Sequence, residues 1–316
     1  MSNRAEDPNF VTVEESPLGE ITLDPRIVKL TTRSGVEVKR TLPHRRLRTI
    51  GAWCFVDHFG PTDQLNAMSV AAHPHTGLQT VSWLFSGEVE HRDSLGSVQV
   101  IVPGELNLMT SGTGVAHSEL SINQNTQLHG VQLWTVLPDP DRNCDPTFNH
   151  YNNLPVFEWQ SISVRVFIGE LLGQRSPAKI FSPLIGAELH LPANTQAHFP
   201  VDPDYEYGVL VVEGEANVDQ KPVGEGQLHY VPQGRQHIAW SSKNGAKLIL
   251  LGGKPFTEKI IMWWNFIGRS HDEIVKMRED WQSQSPKFPA FEDHIGGRIP
   301  APNLPNLRLT PRGNLM

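Results

Sequence analysis

A chain of 316 residues holds about two domains at roughly 150 residues each, and its 26 glycines and 25 prolines exclude a helical bundle, whose interiors both residues damage. A formal charge of −7 excludes the basic surplus with which duplex-DNA binders grip phosphate, so no direct nucleic-acid partner is expected. The 38% of hydrophobic residues supply a core, but two cysteines are too few for a disulfide scaffold or thiolate metal site, and no run of about 18 apolar residues exists to span a membrane. What remains is a turn-rich, mostly β protein of a reducing compartment.

In chain order, Met1 to Phe10 is polar and acidic, without the basic-then-apolar order of a secretory signal, so a cytoplasmic location is expected. A basic run follows, Lys39 to Arg48, with four arginines, one lysine and His44. Such runs are usually solvated faces; this one could also steer an acidic or phenolate substrate or meet a protein partner. Next come short apolar runs bounded by Gly and Pro, which read as strands: Thr80–Phe85, Val98–Val102, Val131–Leu137, Ser163–Ile168, Gly208–Val212 and Lys247–Leu251. One helix is expected late, capped by Ser270 with Glu273 three residues on, and with Ile274, Met277 and Trp281 on one face. The tail beyond Gln284 carries Pro286, Pro289, Pro300, Pro302, Pro305 and Pro311 and reads as an extended arm.

A weak internal repeat organises these strands. Gly104-Glu105 is followed thirteen residues later by His117, and Gly224-Glu225 thirteen residues later by His237. Gly87-Glu88 and Gly214-Glu215 end matching strands. Two copies of one β unit are expected, with the division near residues 138–160.

The first copy carries His73-Pro74-His75 and His117-Ser118-Glu119. Residues i and i+2 of a strand share a face, so each motif aims two ligand-type groups the same way. Either motif alone is an ordinary strand with polar residues; two of them on one inner wall would bring three imidazoles and a carboxylate together, a donor set for a divalent transition metal. Four protein ligands on a six-coordinate ion leave two positions open, which suits an iron site that handles O2 or a chelating substrate, and suits structural zinc less well. In the second copy, Pro200 and Asp202 stand where His-x-His would be and Ala239 stands for the carboxylate. That copy is expected to hold no metal, and lone His237 to be a core or surface histidine. Trp53, Phe55, Phe59 and Trp83 are candidates for pocket walls or for plain core. Cys54 and Cys144 read as small apolar residues outside the ligand set.

The sequence resembles the pirin family of the cupin superfamily. The resemblance rests on Ala72-His73-Pro74-His75-Thr76-Gly77-Leu78-Gln79, His91-Arg92-Asp93-Ser94-Leu95-Gly96, Pro103-Gly104-Glu105-Leu106 and Met109-Thr110-Ser111-Gly112-Thr113-Gly114-Val115-Ala116-His117-Ser118-Glu119. Phe55 to Pro61, Leu251 to Pro255 and Met262 to Phe266 add looser matches. It implies an all-β protein of two tandem cupin barrels, of the double-stranded β-helix or jelly-roll type, with a short C-terminal helix and an extended arm. The expected division is an N-terminal arm (1–27), a metal-binding cupin domain (28–145), a second cupin domain without metal (146–284) and a Pro-rich arm (285–316). The family ligands fall on His73, His75, His117 and Glu119, and the family metal is usually Fe(2+), with other divalent ions accepted. Gln79 departs from the glutamate usual at its position, which bears on a contact around the ligands more than on the metal.

The resemblance implies two kinds of role. One is a quercetin 2,3-dioxygenase-like oxidoreductase that opens flavonols with O2, with Glu119 as the catalytic base. The other is a non-catalytic iron- or redox-sensing regulator that binds a protein partner. A metal-dependent isomerase or another small-molecule cupin enzyme is a third reading, because fold does not fix function.

Overall fold

The computed structural model describes residues 19–29, 37–62, 68–122, 127–293 and 295–314; the first 18 residues of the expected N-terminal arm lie outside these. The first half folds as β1 (Ile21–Leu23), β2 (Arg26–Lys29), β3 (Glu37–Leu42), β4 (Trp53–Thr62), β5 (Ser69–His75) and β6 (Leu78–Ser86). Then follow β7 (Val89–Asp93), β8 (Val98–Ile101), β9 (Leu106–Thr110), β10 (Val115–Ser121), β11 (Leu128–Val136) and β12 (Thr147–Tyr151). Strand alternation dictates these elements: in β7, Val89, His91 and Asp93 are buried while Glu90 and Arg92 are partly exposed. A seven-stranded sheet, β12-β9-β6-β11-β4-β3-β2, and a four-stranded sheet, β5-β10-β7-β8, make the first barrel.

The second half supplies β13 (Val156–Trp159), β14 (Ile162–Leu171), β15 (Gln174–Arg175), β16 (Leu184–Leu191), β17 (Thr195–Pro200) and β18 (Glu206–Gly214). It continues with β19 (Ala216–Val218), β20 (Lys221–Val223), β21 (Leu228–Val231), β22 (His237–Ser242) and β23 (Ala246–Gly253). The large sheet runs β1-β21-β18-β23-β16-β14-β13, with β15 on β14, and the small one runs β17-β22-β19-β20. The sequence repeat is therefore literal. His73 lies opposite His117 in the first barrel, and Pro200 lies opposite His237 in the second. His237 itself is exposed, and the second barrel is filled with aromatic side chains instead. Phe199 stacks on Trp240 at 4.5 Å and meets Trp159 edge-on at 4.9 Å.

Two strands do not follow the order of the halves. β1, in the segment expected as an N-terminal arm, pairs with β21 of the second barrel, Ile21 opposite Tyr230. β12 lies beyond the expected division at 145/146, yet pairs with β9 of the first barrel, Thr147 opposite Thr110. Each completes an edge that would otherwise present unpaired backbone groups.

The two large sheets share one hydrophobic core that includes Trp53, Phe55, Trp83, Leu133 and Trp134 from the first barrel and Phe167, Leu184, Leu210, Tyr230 and Leu251 from the second. Trp53 is fully buried, and its Nε1–H donates to the carbonyls of Ile185 (3.0 Å) and Gly252 (3.3 Å). Trp83 stacks on Phe167 at 4.8 Å and donates to Glu188. The backbones also meet closely: a Cβ on Gly51, whose φ is +51°, would sit 2.7 Å from Cα of Gly253, so only glycine fits there.

The interface also holds a buried histidine pair. Nε2 of His58 lies 2.8 Å from Nε2 of His129, and Glu213 of the second barrel lies 3.4 Å from Nδ1 of His129. Burial lowers His58 to about 3 and His129 to about 4. The unfolded rings, near 6.5, take up protons first as the pH falls. The pair's contribution is therefore complete above pH ~6.5 and drains away through pH ~4 toward pH ~3, about 2 kcal/mol per ring by pH 5. The thermal unfolding midpoint should fall between pH 7.5 and pH 5, and less steeply in a His58→Gln/His129→Gln variant; equal slopes would contradict this assignment.

Beyond β23, a two-stranded ribbon of β24 (Ile261–Trp263) and β25 (Phe266–Gly268) leads into α1 (His271–Gln282). Ser270 caps α1 by accepting from the Glu273 amide, and Ile274 and Trp281 are buried, as the spacing predicts. The arm then lies along the body. Arg298 bridges to Ala72 of β5, Arg298 covers the Trp281 ring at 3.5 Å, and Asn314 bonds the backbone at Arg48 and Thr49. Among the described residues no helix is long and apolar enough to cross a membrane.

Candidate metal centre

β5 and β10 are neighbours in the small sheet of the first barrel, and their antiparallel register sets His73 directly against His117. His75, two residues along β5, shares the inner face with His73. The three imidazoles can each offer a nitrogen within 4.8 Å of the others, and all three are buried. Glu119 is buried too and lines the same cavity, although that triad consists of the histidines alone. A register shift between His117 and Glu119 places Glu119 opposite Val70 on one side and His91 on the other.

Burial makes the three rings neutral. It lowers His73 to about 4, against the opposing bond to the Ala71 carbonyl, and it lowers His75 and His117 well below the usual histidine range. Neutral imidazole is the form a metal ion requires. Burial raises the Glu119 carboxyl, opposed by His91 and by the Ser82 hydroxyl 3.4 Å from Oε1.

The hydrogen bonds fix which nitrogen each ring presents. His73 donates Nδ1–H to the Ala71 carbonyl at 2.9 Å, leaving Nε2 free. Asp93 accepts from Nε2–H of His91 at 3.0 Å, which leaves Nδ1 of His91 to accept from Nδ1–H of His117 at 3.2 Å. That leaves the Nε2 lone pair of His117 facing Nε2 of His75, 3.1 Å away. Two nitrogens ~2.1 Å from one ion at a right angle lie about 3.0 Å apart. Nδ1 of His75 is buried without a hydrogen-bond partner among the described residues. The donor set therefore fits a divalent metal ion.

The chain from Asp93 through His91 to His117 was not among the expected site residues. Its signal was a third i, i+2 pair, His91-x-Asp93, on the strand flanking β10. His91 also stacks on Phe148 of β12 at 4.3 Å, which fixes its ring. Burial acts to raise Asp93, but the bonds from His91 and Ser97 prevail and hold it low. Asp93→Asn should weaken metal binding roughly 10- to 100-fold while leaving the fold intact, read by competitive titration against a chromogenic chelator.

The cavity over this cluster measures about 250 Å³. Of the four aromatic wall candidates, Phe55 lines it at the edge of the core between the barrels; Trp53 and Trp83 belong to that core without reaching the cavity, and Phe59 belongs to a cluster with Val38 and Leu84. Trp134 provides the other flat wall, stacked on Phe55 at 3.9 Å and edge-on to His75 at 5.0 Å. Trp264 and Asn265, from the turn between β24 and β25, and Ile299 of the arm close the cavity from the far end of the sequence. Gln79 is not part of the lining: its amide is held by Thr110, Thr135 and the Lys179 carbonyl. Within the basic run, Arg40 lines the cavity, while Lys39 pairs with Glu225 of the second barrel.

Comparisons with known proteins agree with this architecture. Residues 35–135 match the Pirin family model, and residues 186–288 match the model for the pirin C-terminal cupin domain. The chain is 40% identical over 273 residues to a Pseudomonas aeruginosa protein named for a proposed quercetin 2,3-dioxygenase activity, covering 86% of this chain and 87% of that one. It is 34% identical over 276 residues to a pirin-like protein of Caulobacter vibrioides, covering 84% and 94%. A crystal structure of quercetin 2,3-dioxygenase from Acinetobacter baumannii superposes with a TM-score of 0.89 at 38% identity, covering 94% of this chain and 98% of that one.

Proposed function

The chain belongs to the pirin family, and from that premise we propose that it is a metal-dependent dioxygenase of the quercetin 2,3-dioxygenase type, cleaving a flavonol-like substrate with O2. The observation that carries this reading is the triad of buried, neutral imidazoles opening onto an aromatic-walled cavity that also contains a buried carboxylate. The names of the relatives at 40% and 38% identity support it.

His73, His75, His117 and Glu119 would hold the ion, in the unit expected at residues 28–145. Fe(2+) is the proposed metal, because imidazole with carboxylate and open positions suits non-haem iron. When bound, the ion supplies Lewis acidity to the hydroxyl and carbonyl oxygens of the flavonol and the redox chemistry that O2 requires. Glu119 takes the proton of the substrate's hydroxyl onto its carboxylate, which burial makes more basic than in water. Phe55 and Trp134 orient a flat substrate, and Val28, Val70 and Ile299 keep water from it. The second unit, 146–284, serves as structure; its strand β23 and the ribbon after it brace the first barrel. A cytoplasmic location remains part of the proposal.

The test is anaerobic loading with Fe(2+), followed by quercetin and O2. Loss of flavonol absorbance with release of carbon monoxide is expected; no turnover with any of several flavonols and divalent metals would overturn the reading. Glu119→Gln should lower kcat by roughly 10²- to 10⁴-fold, the range of general-base catalysis. A variant that turned over at the parent rate would remove Glu119 from the base role.

A further inference from the structure

Arg40, on β3 and partly exposed, lines the cavity and is held there by an unusual set of contacts. Its Nε and Nη2 make a two-pronged bond to Asp57, 2.7 Å to each oxygen. Asp57 is 1% exposed. The guanidinium also covers the Phe55 ring at 4.4 Å, and Phe55 stacks in turn on Trp134. A buried carboxylate and an aromatic face thus fix the fork in one orientation. Nη1 has no hydrogen-bond partner among the described residues. Lys29 on β2 lines the same cavity, is exposed, and likewise has no ion-pair partner among the described residues.

The charged residues lining the cavity are Lys29, Arg40, Asp57 and Glu119, two of each sign. Arg40 is tied to Asp57, the three histidines are neutral, and Glu119 lies among the histidines, which leaves Lys29 and the free prong of Arg40 without an anionic partner of their own. A planar guanidinium with a free prong, beside an ammonium and against an aromatic wall, matches an oxyanion carried on an aromatic ring. We infer that Arg40 and Lys29 form an anion subsite in the cavity, which selects aromatic ligands bearing a carboxylate or ionised phenol at the end remote from the histidines. This names a substrate class for the proposed function and rests on that reading for its relevance to turnover, but the subsite is tested by binding alone.

The probes are 2-naphthoate, 2-naphthol and 2-naphthalenemethanol, titrated by quenching of tryptophan fluorescence in the full chain. Each is measured as purified and after removal of divalent metal with a chelator. 2-Naphthoate should bind about tenfold more tightly than the neutral alcohol in both states, and 2-naphthol should gain affinity as the pH rises toward its ionisation. Arg40→Met should remove the preference for 2-naphthoate and leave the alcohol unchanged. Because Arg40→Met strands the buried Asp57, Arg40→Lys and Lys29→Gln are measured beside it; each should reduce the preference several-fold. Equal affinity of wild type for the acid and the alcohol would overturn the subsite. So would a preference that disappears on chelation, which would place the carboxylate on the metal, or one that survives all three substitutions. None of these outcomes depends on flavonol turnover, so failure of the subsite and failure of the dioxygenase reading are distinguishable.

Discussion

His117→Ala should lose nearly all bound metal, falling from about one transition-metal ion per chain to less than about a tenth, as read by elemental analysis of purified protein. His117 is the middle of the cluster: its Nε2 lies 3.1 Å from that of His75, its ring centroid is 4.4 Å from that of His73, and its Nδ1 is held by His91. Removing it deletes one of three nitrogen donors and leaves the Asp93–His91 chain with nothing to orient. The loss must exceed the roughly 10- to 100-fold that follows removal of a supporting partner alone. His75→Ala should behave alike, and its side chain is not part of that chain, so the pair separates loss of a donor from loss of its support. Full metal retention in both variants would sink the metal centre. Circular dichroism should stay unchanged, since the deleted rings face the cavity rather than one of the hydrophobic clusters.

Trp53→Ala should be the most destabilising single substitution outside the site, at about 3–5 kcal/mol. The side chain is fully buried, meets Phe167 edge-on at 6.5 Å, and bonds two carbonyls of the second barrel. Against a typical total stability of about 5–15 kcal/mol, that is roughly a fifth or more. Because Trp53 joins two barrels, both should be affected: urea unfolding followed by fluorescence should show the whole transition moving to lower denaturant. Phe59→Ala, inside the first barrel's own smaller cluster, is the comparison. A Trp53→Ala protein with an unchanged midpoint would mean that the shared core contributes little to holding the barrels together.

Much of the site was legible because a strand repeats every two residues. His-x-His and His-x-Glu announced their common face, and the repeat of Gly-Glu and His positions announced two copies, which the register of Pro200 against His237 bears out. The repeat also showed which copy lacks the histidines; the core of the second barrel instead contains the stacked pair Phe199 and Trp240. The cavity walls were not legible in the same way. Trp264, Asn265 and Ile299 reach the first barrel from more than 140 residues beyond the last cluster histidine, a proximity that no local periodicity encodes. Trp53, Phe55, Phe59 and Trp83 look alike in the sequence, all aromatic and all in strands, three of them in β4 and one in β6. Trp53, Phe55 and Trp83 all join the shared core, and only the three-dimensional packing shows that Phe55 alone also reaches the cavity. Arg40 reads in the sequence as one member of a basic run, and no local pattern ties it to the buried Asp57 seventeen positions on.

The crossing of β1 bears on how the chain is made. β1 and β2 are separated by two residues, yet β2 pairs with β3 in the first barrel while β1 pairs with β21 in the second. On a ribosome, β2 meets its partner almost at once. β1 must wait while some two hundred further residues are added, roughly 10–40 s at ordinary rates of synthesis. The first barrel can close during that interval; the second cannot complete its sheet without a strand made before either barrel existed. Glu20, Asp24 and their partners Lys221 and Gln227 then fasten the strand in place. The earliest described stretch of the polypeptide is thus among the last to be docked, and protein synthesised without it would release a second barrel whose Leu228–Val231 edge is open to pairing with another copy.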